Sequence, residues 1–296
     1  STRKESSAAS DVYKRQMEVG AAQATMRSGW LGRYLASTGE MTTFRGLTMG
    51  ASSAFMLANP SPTLSISVLK DFSIQAADAA TQREVTNKVN ATWGEIGGRA
   101  QDMIRTTLDG AAKAASYGAM PSAVAYPRTL TGQRMADVAR MVKAGAGLEA
   151  ACVDVGGWDM HGNMGDARTK SGNLWSKLTE VDQAFKAFWD DLGPLREKVT
   201  VVTMSEFGRT GSTNPGNGTD HGYGSMMMVM GTGLVGGVHG TWPGLDKASL
   251  DGGDLNIVND YRDLAADILR RKMGLSEGQM ATVFPEFAPK GTSVFA

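Results

Sequence analysis

The sequence has 296 residues, of which 42% are hydrophobic and 20% are charged, and its 30 basic and 30 acidic residues give a formal net charge of zero. This composition is typical of a globular protein long enough for one large domain or two small ones. It lacks the basic excess of nucleic-acid-binding or membrane-surface proteins, and no apolar run reaches the ~20 residues of a membrane-spanning helix. We therefore expect no nucleic-acid partner and no membrane span.

The N-terminal segment is set apart from the rest of the sequence. The string DVYKRQ (11–16) is what the codons GAT GTG TAT AAG AGA CAG encode, and they match a transposon end used in sequencing libraries. We predict that residues 1–16 are a translated artefact, with a disordered polar tail as the alternative. A single domain is then expected over residues 17–296.

The first half of the chain is predicted to be largely helical. A short helix is expected over 26–37, followed by loop with short strands over 41–68, where Asn-Pro and Ser-Pro interrupt the apolar pieces. Apolar residues then recur at every third and fourth position, which predicts a helical segment, 74–147, with Thr131 as an N-cap inside it. Its two helical parts are 74–118 and 131–147.

The second half alternates strands and helices. Apolar runs predict buried strands at 149–155, 198–204 and 225–231, and the last of these accounts for Met226 to Met228 as core residues. Amphipathic helices are predicted at 171–193 and 261–274. Strand, helix and strand with long connections indicate an α/β fold with a mostly parallel sheet covered by helices.

Polar, glycine-rich stretches follow the first two of these strands. They are DVGGWDMHG (154–162) and SEFGRTGSTNPGNGTDHGYG (205–224). In parallel sheets, ligands bind outside the carboxyl ends of the strands, so both stretches are candidate site loops. Glycine lets the backbone of such loops approach closely.

The side chains in these stretches suit a metal site. Asp and His are mixed oxygen and nitrogen ligands, which favour zinc, manganese or iron. Arg209, in the same loop as Glu206, could hold an anionic oxygen through its planar guanidinium. The candidate ligands are Asp154, Asp159, His161, Asp220 and His221. Simpler explanations stay open: short Asp/His pairs occur by chance, Asp220 could form an Asx turn, and Glu206 could pair with Arg209.

The longer motifs resemble a known family. VDVGGWDMHGN, VTVVTMSEFGRTGSTNPGNGTDHGYGSMMMVMG and NDYRDLAADILRRKMG are similar, in order and spacing, to the bacterial family called domain of unknown function 1501. The resemblance covers residues 17–287. It implies an exported protein, periplasmic or extracellular, whose twin-arginine signal and N-terminal stretch are absent here, so we expect this chain to be a fragment.

That family in turn resembles the alkaline phosphatase and sulfatase superfamily. The resemblance implies a three-layer α/β/α sandwich with a mostly parallel sheet, a helical insert and metal ligands at the strand ends. Glu206 stands in the place of a ligating aspartate, whereas Phe207 stands where the superfamily has a histidine ligand. The other positions that match metal ligands are Asp159 with His161, Asp154 beside them, and His221 with Asp220.

The function implied is hydrolysis of a phosphate or sulfate ester in a small-molecule or polymer substrate. A divalent metal, zinc or manganese, would assist, Arg209 would act in catalysis, and the nucleophile would lie N-terminal to this chain. The alternative is a non-catalytic binding or surface-assembly protein that keeps the fold, which Phe207 favours. A serine esterase is disfavoured because the sequence has no G-x-S-x-G motif.

Overall fold

The structure is a computed structural model of a mixed α/β protein. The residues that it describes are 14–21, 26–40, 42–59, 63–73, 76–93 and 97–295, so most of the predicted artefact lies outside them. The chain divides into two compact units. Unit 1 comprises Ser1–Trp30, Gly156–Asp182 and Gly193–Ala296, and unit 2 comprises Leu31–Val155 and Gln183–Leu192.

Unit 2 contains a parallel sheet of β1 (Gly46–Met49), β2 (Leu64–Ile66) and β3 (Ala150–Val153) in the order β2-β1-β3. The central strand places Leu47 opposite Leu64 on one side and Ala151 on the other. Leu47 and Met49 are fully buried, as expected for a central parallel strand covered on both faces. A small parallel sheet of three strands is therefore present, but only β3 belongs to the strands from which a parallel sheet was predicted.

The helices of unit 2 follow the predicted order. Helix α1 (Trp30–Ser37) precedes β1, and the stretch predicted as one helix contains α2 (Ala79–Trp93) and α3 (Gly98–Gly118). Gly97 and Gly98 both have φ of +70°. Glycine adopts positive φ readily, and an α-helix cannot continue through such residues, so the predicted helix is interrupted there. Residues 74, 75 and 94–96 of the prediction lie outside the described part of the chain.

Helix α4 (Leu130–Lys143) begins earlier than predicted. Thr129, not Thr131, is the N-cap: its backbone is extended and its side chain accepts a hydrogen bond from the Gly132 N–H. Thr131 lies inside the first turn and is buried. Two threonines close to the helix start made the predicted N-cap wrong by two positions.

A buried carboxylate lies at the end of α5 (Gly172–Leu192), the longest helix of the predicted strand–helix–strand unit. Asp191 accepts hydrogen bonds from the Ala123 N–H at 2.7 Å, Tyr126 Oη at 3.1 Å and Lys143 Nζ at 2.7 Å. Burial alone would raise the pKa of Asp191, but Lys143 and these donors hold it below its usual value. The carboxylate therefore stays ionised and connects three segments of unit 2.

Unit 1 has short antiparallel strands, which differs from the prediction. The strands predicted at 198–204 and 225–231 form as β4 (Thr200–Val202) and β7 (Val229–Gly231), which pair antiparallel with each other. Met226 is 67% exposed, so the prediction that Met226 to Met228 fill a buried strand is wrong. The apolar run predicted a strand but contained no signal for its direction or its burial.

The remaining elements of unit 1 complete this description. Strands β5 (Gly208–Arg209) and β6 (His221–Gly222) form one antiparallel pair, and β8 (Leu250–Asp251) and β9 (Asp254–Leu255) form another. Helix α6 (Tyr261–Met273) starts at the N-cap Asp260 and ends at left-handed Gly274, and α7 (Glu277–Val283) follows. Within the described residues, no helix has the length and apolarity required to cross a membrane.

Candidate metal centre

Two loops of unit 1 are joined by backbone hydrogen bonds. We call residues 156–164 the first site loop and residues 205–224 the second site loop. The N–H groups of Asn163 and Met164 donate to the carbonyls of Gly216 and Asn217, and the Thr219 N–H donates to the Met160 carbonyl. These bonds hold side chains about sixty positions apart in sequence next to one another.

Glycine is required where the loops touch. A Cβ added to Gly218 would lie 2.4 Å from the Met160 carbonyl oxygen and 2.4 Å from the His161 carbonyl carbon. A Cβ added to Gly222 would lie 2.6 Å from the backbone of Arg209. Real Cβ atoms do not approach backbone this closely, so the glycines let the second site loop pack directly against its neighbours, as the sequence predicted.

Three predicted ligands converge at this contact, and we call Asp159, His161 and His221 the Asp–His cluster. One ligand atom from each lies within 4.8 Å of the others. Asp159 Oδ1 is 2.8 Å from His161 Nε2 and 2.8 Å from His221 Nε2. Two histidine nitrogens and one carboxylate oxygen are a donor set that zinc takes in proteins.

His161 is contacted by a carboxylate at each ring nitrogen. Its Nδ1 forms a hydrogen bond with Asp220 Oδ1 at 2.8 Å, while its Nε2 faces Asp159 Oδ1. A neutral imidazole that donates from Nδ1 has only a lone pair on Nε2. Two acceptor atoms 2.8 Å apart then repel unless a cation, either a proton or a metal ion, lies between them.

His221 has one ring nitrogen without a partner. Its side chain is 13% exposed, and its Nδ1 is buried with no hydrogen-bond partner among the described residues. Phe207 stacks flat on the His221 ring, with centroids 3.9 Å apart and an interplanar angle of 10°. A buried polar atom without a partner is costly, and an ion held by Nε2, the nitrogen that faces Asp159, would not satisfy Nδ1.

Arg209 connects the two loops. It lies opposite His221 in the β5–β6 pair, and its guanidinium donates to the carbonyls of Trp158 and Thr219. The guanidinium carbon also lies 4.7 Å from the centre of the Phe207 ring. Burial lowers the pKa of Arg209, against the attraction of two nearby aspartates. The structure thus places this predicted catalytic residue as a cross-link between loop backbones.

The carboxylates at the site are ionised. Partial burial alone would raise the pKa of Asp159, but the hydrogen bond from His221 and the charges of His161 and Arg209 hold it below its usual value. Hydrogen bonds from His161 and Asn214 lower the pKa of Asp220. Both side chains are therefore acceptors at neutral pH, which is the form that binds a cation.

Asn214 was not predicted from the sequence. Its amide nitrogen donates to the His161 carbonyl at 3.0 Å and to Asp220 Oδ1 at 2.9 Å, and its amide oxygen accepts from the N–H groups of Gly216 and Gly218. The only sequence signal was its place before Pro-Gly, which is typical of any turn. Its contacts to His161 and Asp220 arise from the folded loops.

Other predicted site residues lie outside the Asp–His cluster. Glu206 is 42% exposed and forms an ion pair with Lys14 at 3.6 Å; Lys14 belongs to the predicted artefact segment, and such exposed pairs contribute little. Asp154 belongs to unit 2, where its N–H donates to the Met49 carbonyl and its own carbonyl accepts from Arg134. The third histidine, His239, hydrogen-bonds with Ser293 and the Val235 carbonyl.

Comparisons with known proteins identify a family. A family model described as "Protein of unknown function (DUF1501)" matches residues 3–284, in agreement with the resemblance carried by the two site loops. No curated protein and no solved structure matches the chain.

Proposed function

The chain belongs to the DUF1501 family, whose function is unknown, and from the geometry of the Asp–His cluster we propose that it is a metal-dependent hydrolase of phosphate or sulfate esters. The observation that carries this proposal is the convergence of Asp159, His161 and His221 within 4.8 Å. The close approach of two acceptors at His161 Nε2 supports it, because a cation there removes their repulsion, and His221 Nε2 lies 2.8 Å from the same Asp159 oxygen.

The chain's own residues have distinct roles in this proposal. Asp159, His161 and His221 would hold the ion, which would supply Lewis-acid activation of a phosphoryl or sulfuryl oxygen and of water. Phe207 keeps the His221 ring in place by stacking, and Arg209 in turn lies over the Phe207 ring. Zinc or manganese fits the mixed donors. The exposed carboxylates of Asp159 and Asp220 leave the site open to a small-molecule or polymer substrate.

The same proposal includes the finer points of fold and location. We infer that the parallel sheet of unit 2 is part of an alkaline-phosphatase-like three-layer architecture, and that the protein acts in the periplasm or outside the cell. The motif order quoted above supports both inferences. A crystal structure with a continuous sheet between two helical layers, and detection of the protein in periplasmic or culture fractions, would test them.

A second function is favoured by one specific contact. The Phe207 ring lies against His221, in the place where the superfamily resemblance implies another histidine ligand, and phenylalanine cannot coordinate. A site with fewer ligands could bind one ion without catalysing hydrolysis. The alternative is therefore a binding or surface-assembly protein that keeps the fold and the ion.

Metal content tests the first part of the proposal. The chain would be incubated with zinc or manganese, separated from free ion and measured by elemental mass spectrometry. The double variant His161→Ala/His221→Ala should lose the ion, whereas His239→Ala, which removes a histidine hydrogen-bonded elsewhere in unit 1, should retain it. A folded wild-type protein without stoichiometric ion would refute the metal site.

Ester hydrolysis tests the second part. The metal-loaded protein would be assayed with p-nitrophenyl phosphate and p-nitrophenyl sulfate, with the double variant as the background. Turnover that depends on the histidines and the ion supports the hydrolase. If the protein binds a stoichiometric ion but turns over neither ester, the hydrolase proposal is wrong and the alternative, a binding protein, is supported.

A further inference from the structure

A chain of hydrogen bonds leads from the turn of the second site loop to the cluster. Asn214 Nδ2 donates to Asp220 Oδ1 at 2.9 Å, and the same oxygen lies 2.8 Å from His161 Nδ1. The Asn214 amide is itself held, because its oxygen accepts from the N–H groups of Gly216 and Gly218. The orientation of Asn214 is thereby fixed, with its nitrogen toward Asp220.

We propose that Asp220 and Asn214 are positioning residues, not metal ligands, and that they set the metal affinity of the cluster by fixing the ring and tautomer of His161. This inference rests on the proposed metal site. Asp220 was a candidate ligand in the sequence, yet its Oδ1 bonds to His161 Nδ1, while His161 Nε2 faces Asp159. Asp220 therefore contacts the ring nitrogen Nδ1, whereas Asp159 faces Nε2, the nitrogen that would bind the ion.

The chemical consequence follows from the two nitrogens of imidazole. A proton held on Nδ1 by a carboxylate leaves the Nε2 lone pair directed at the ion and increases its basicity. Asn214 adds a second donor to Asp220 Oδ1 and a bond to the His161 carbonyl. Side-chain rotation of Asp220 and movement of the His161 backbone are both restricted by one residue.

Removal of a residue that hydrogen-bonds to a metal ligand typically weakens metal binding about 10–100-fold. Zinc affinity would be measured by competition with a chromogenic chelator for wild type, Asp220→Ala, Asp220→Asn and His161→Ala. Asp220→Ala should bind about 10–100-fold more weakly, and Asp220→Asn should lose less, because its amide oxygen can still accept from Nδ1. His161→Ala, which removes a ligand, should lose the most.

Asn214→Asp tests the positioning role of Asn214 directly. The new carboxylate can still accept from the Gly216 and Gly218 N–H groups, but it presents an acceptor instead of a donor to Asp220. Zinc affinity should fall while the turn is retained. Asp182→Asn removes one exposed charge from α5 and is the control, whose affinity should stay within about twofold of wild type.

Nitrogen NMR of the metal-free protein gives a readout that does not depend on the ion. In wild type, the ring-nitrogen shifts should show a His161 proton on Nδ1, the nitrogen that faces Asp220. In Asp220→Ala it should redistribute between Nδ1 and Nε2. Ring-nitrogen shifts that are identical in the two proteins would overturn the positioning role.

The outcomes separate this inference from the proposed function. If wild type binds zinc and Asp220→Ala binds it equally well, the positioning role is wrong and the metal site stands. If Asp220→Asn is as damaging as His161→Ala, Asp220 is a ligand and the inference is wrong. If wild type binds no zinc, the proposed function fails, and the tautomer measurement alone decides whether Asp220 fixes His161.

Discussion

Replacing Gly218 by alanine should separate the two site loops. The added Cβ would lie 2.4 Å from the Met160 carbonyl oxygen, whereas ordinary contact begins at 3.4 Å, so the loops must move apart by about 1 Å. The atoms in the way are backbone and cannot rotate aside. The bonds from Thr219 N–H to the Met160 carbonyl and from Asn214 to the His161 carbonyl cross this contact.

The expected cost combines two effects. Each lost hydrogen bond contributes about 1 kcal/mol, and overpacking in a closed contact costs about 1–3 kcal/mol. The free energy of unfolding of Gly218→Ala should therefore be about 3–5 kcal/mol lower than that of wild type, as measured by urea unfolding followed by circular dichroism. Zinc affinity should fall as well, because His161 and His221 lie on opposite sides of the contact.

Gly236→Ala is the matched control. A Cβ added at Gly236 meets no atom within 4 Å, so the free energy of unfolding should change by less than about 0.5 kcal/mol. If Gly218→Ala proves as stable as Gly236→Ala and binds zinc equally well, the loops are not held by direct backbone contact and the reasoning is refuted.

Arg209→Lys should lower the free energy of unfolding by about 1.5–3 kcal/mol in urea unfolding, because lysine lacks the two separate nitrogens with which Arg209 reaches the two loop carbonyls; lost ester turnover at unchanged stability would instead indicate a substrate clamp. Phe207→Leu keeps apolar volume but loses the stack on His221, and calorimetry should show a loss of about 0.5–1.5 kcal/mol; an unchanged melting temperature would contradict this. The depressed pKa of Asp191 means that its stabilisation is complete above an unfolded pKa of about 4 and is lost as pH falls through the folded pKa. Asp191→Asn should cost about 3–5 kcal/mol near pH 7 and flatten the acid-side decline in urea unfolding; parallel wild-type and variant curves would exclude this role.

Helices were predicted well from the sequence because their signal is local. The amphipathic pattern predicted 171–193 and 261–274, and the structure has α5 over Gly172–Leu192 and α6 over Tyr261–Met273. Strand pairing was harder, since the partner of β4 is decided by contacts that an apolar run does not encode. The antiparallel β4–β7 pair and the exposed Met226 are examples.

The candidate site was predicted in part for a similar reason. Asp159, His161 and His221 were identified by residue type and by their place after predicted strands, and the structure brings these three together. Asp220 was grouped with them because it adjoins His221 in sequence, whereas its contact is with His161. Asn214 was not predicted because an asparagine before Pro-Gly is typical of an ordinary turn. Its role depends on a hydrogen bond to a carbonyl 53 positions away in sequence.

The separation of Asp159 from His221 along the chain has a consequence for folding. An ion shared by these residues would close a loop of 62 positions, and the segment between them contains α5 and β4. On the chain-entropy account developed for disulfides, a cross-link of this span removes about 4 kcal/mol of unfolded-state freedom. Ion concentration would then set not only the chemistry of the site but also how much of this chain is folded at a given temperature.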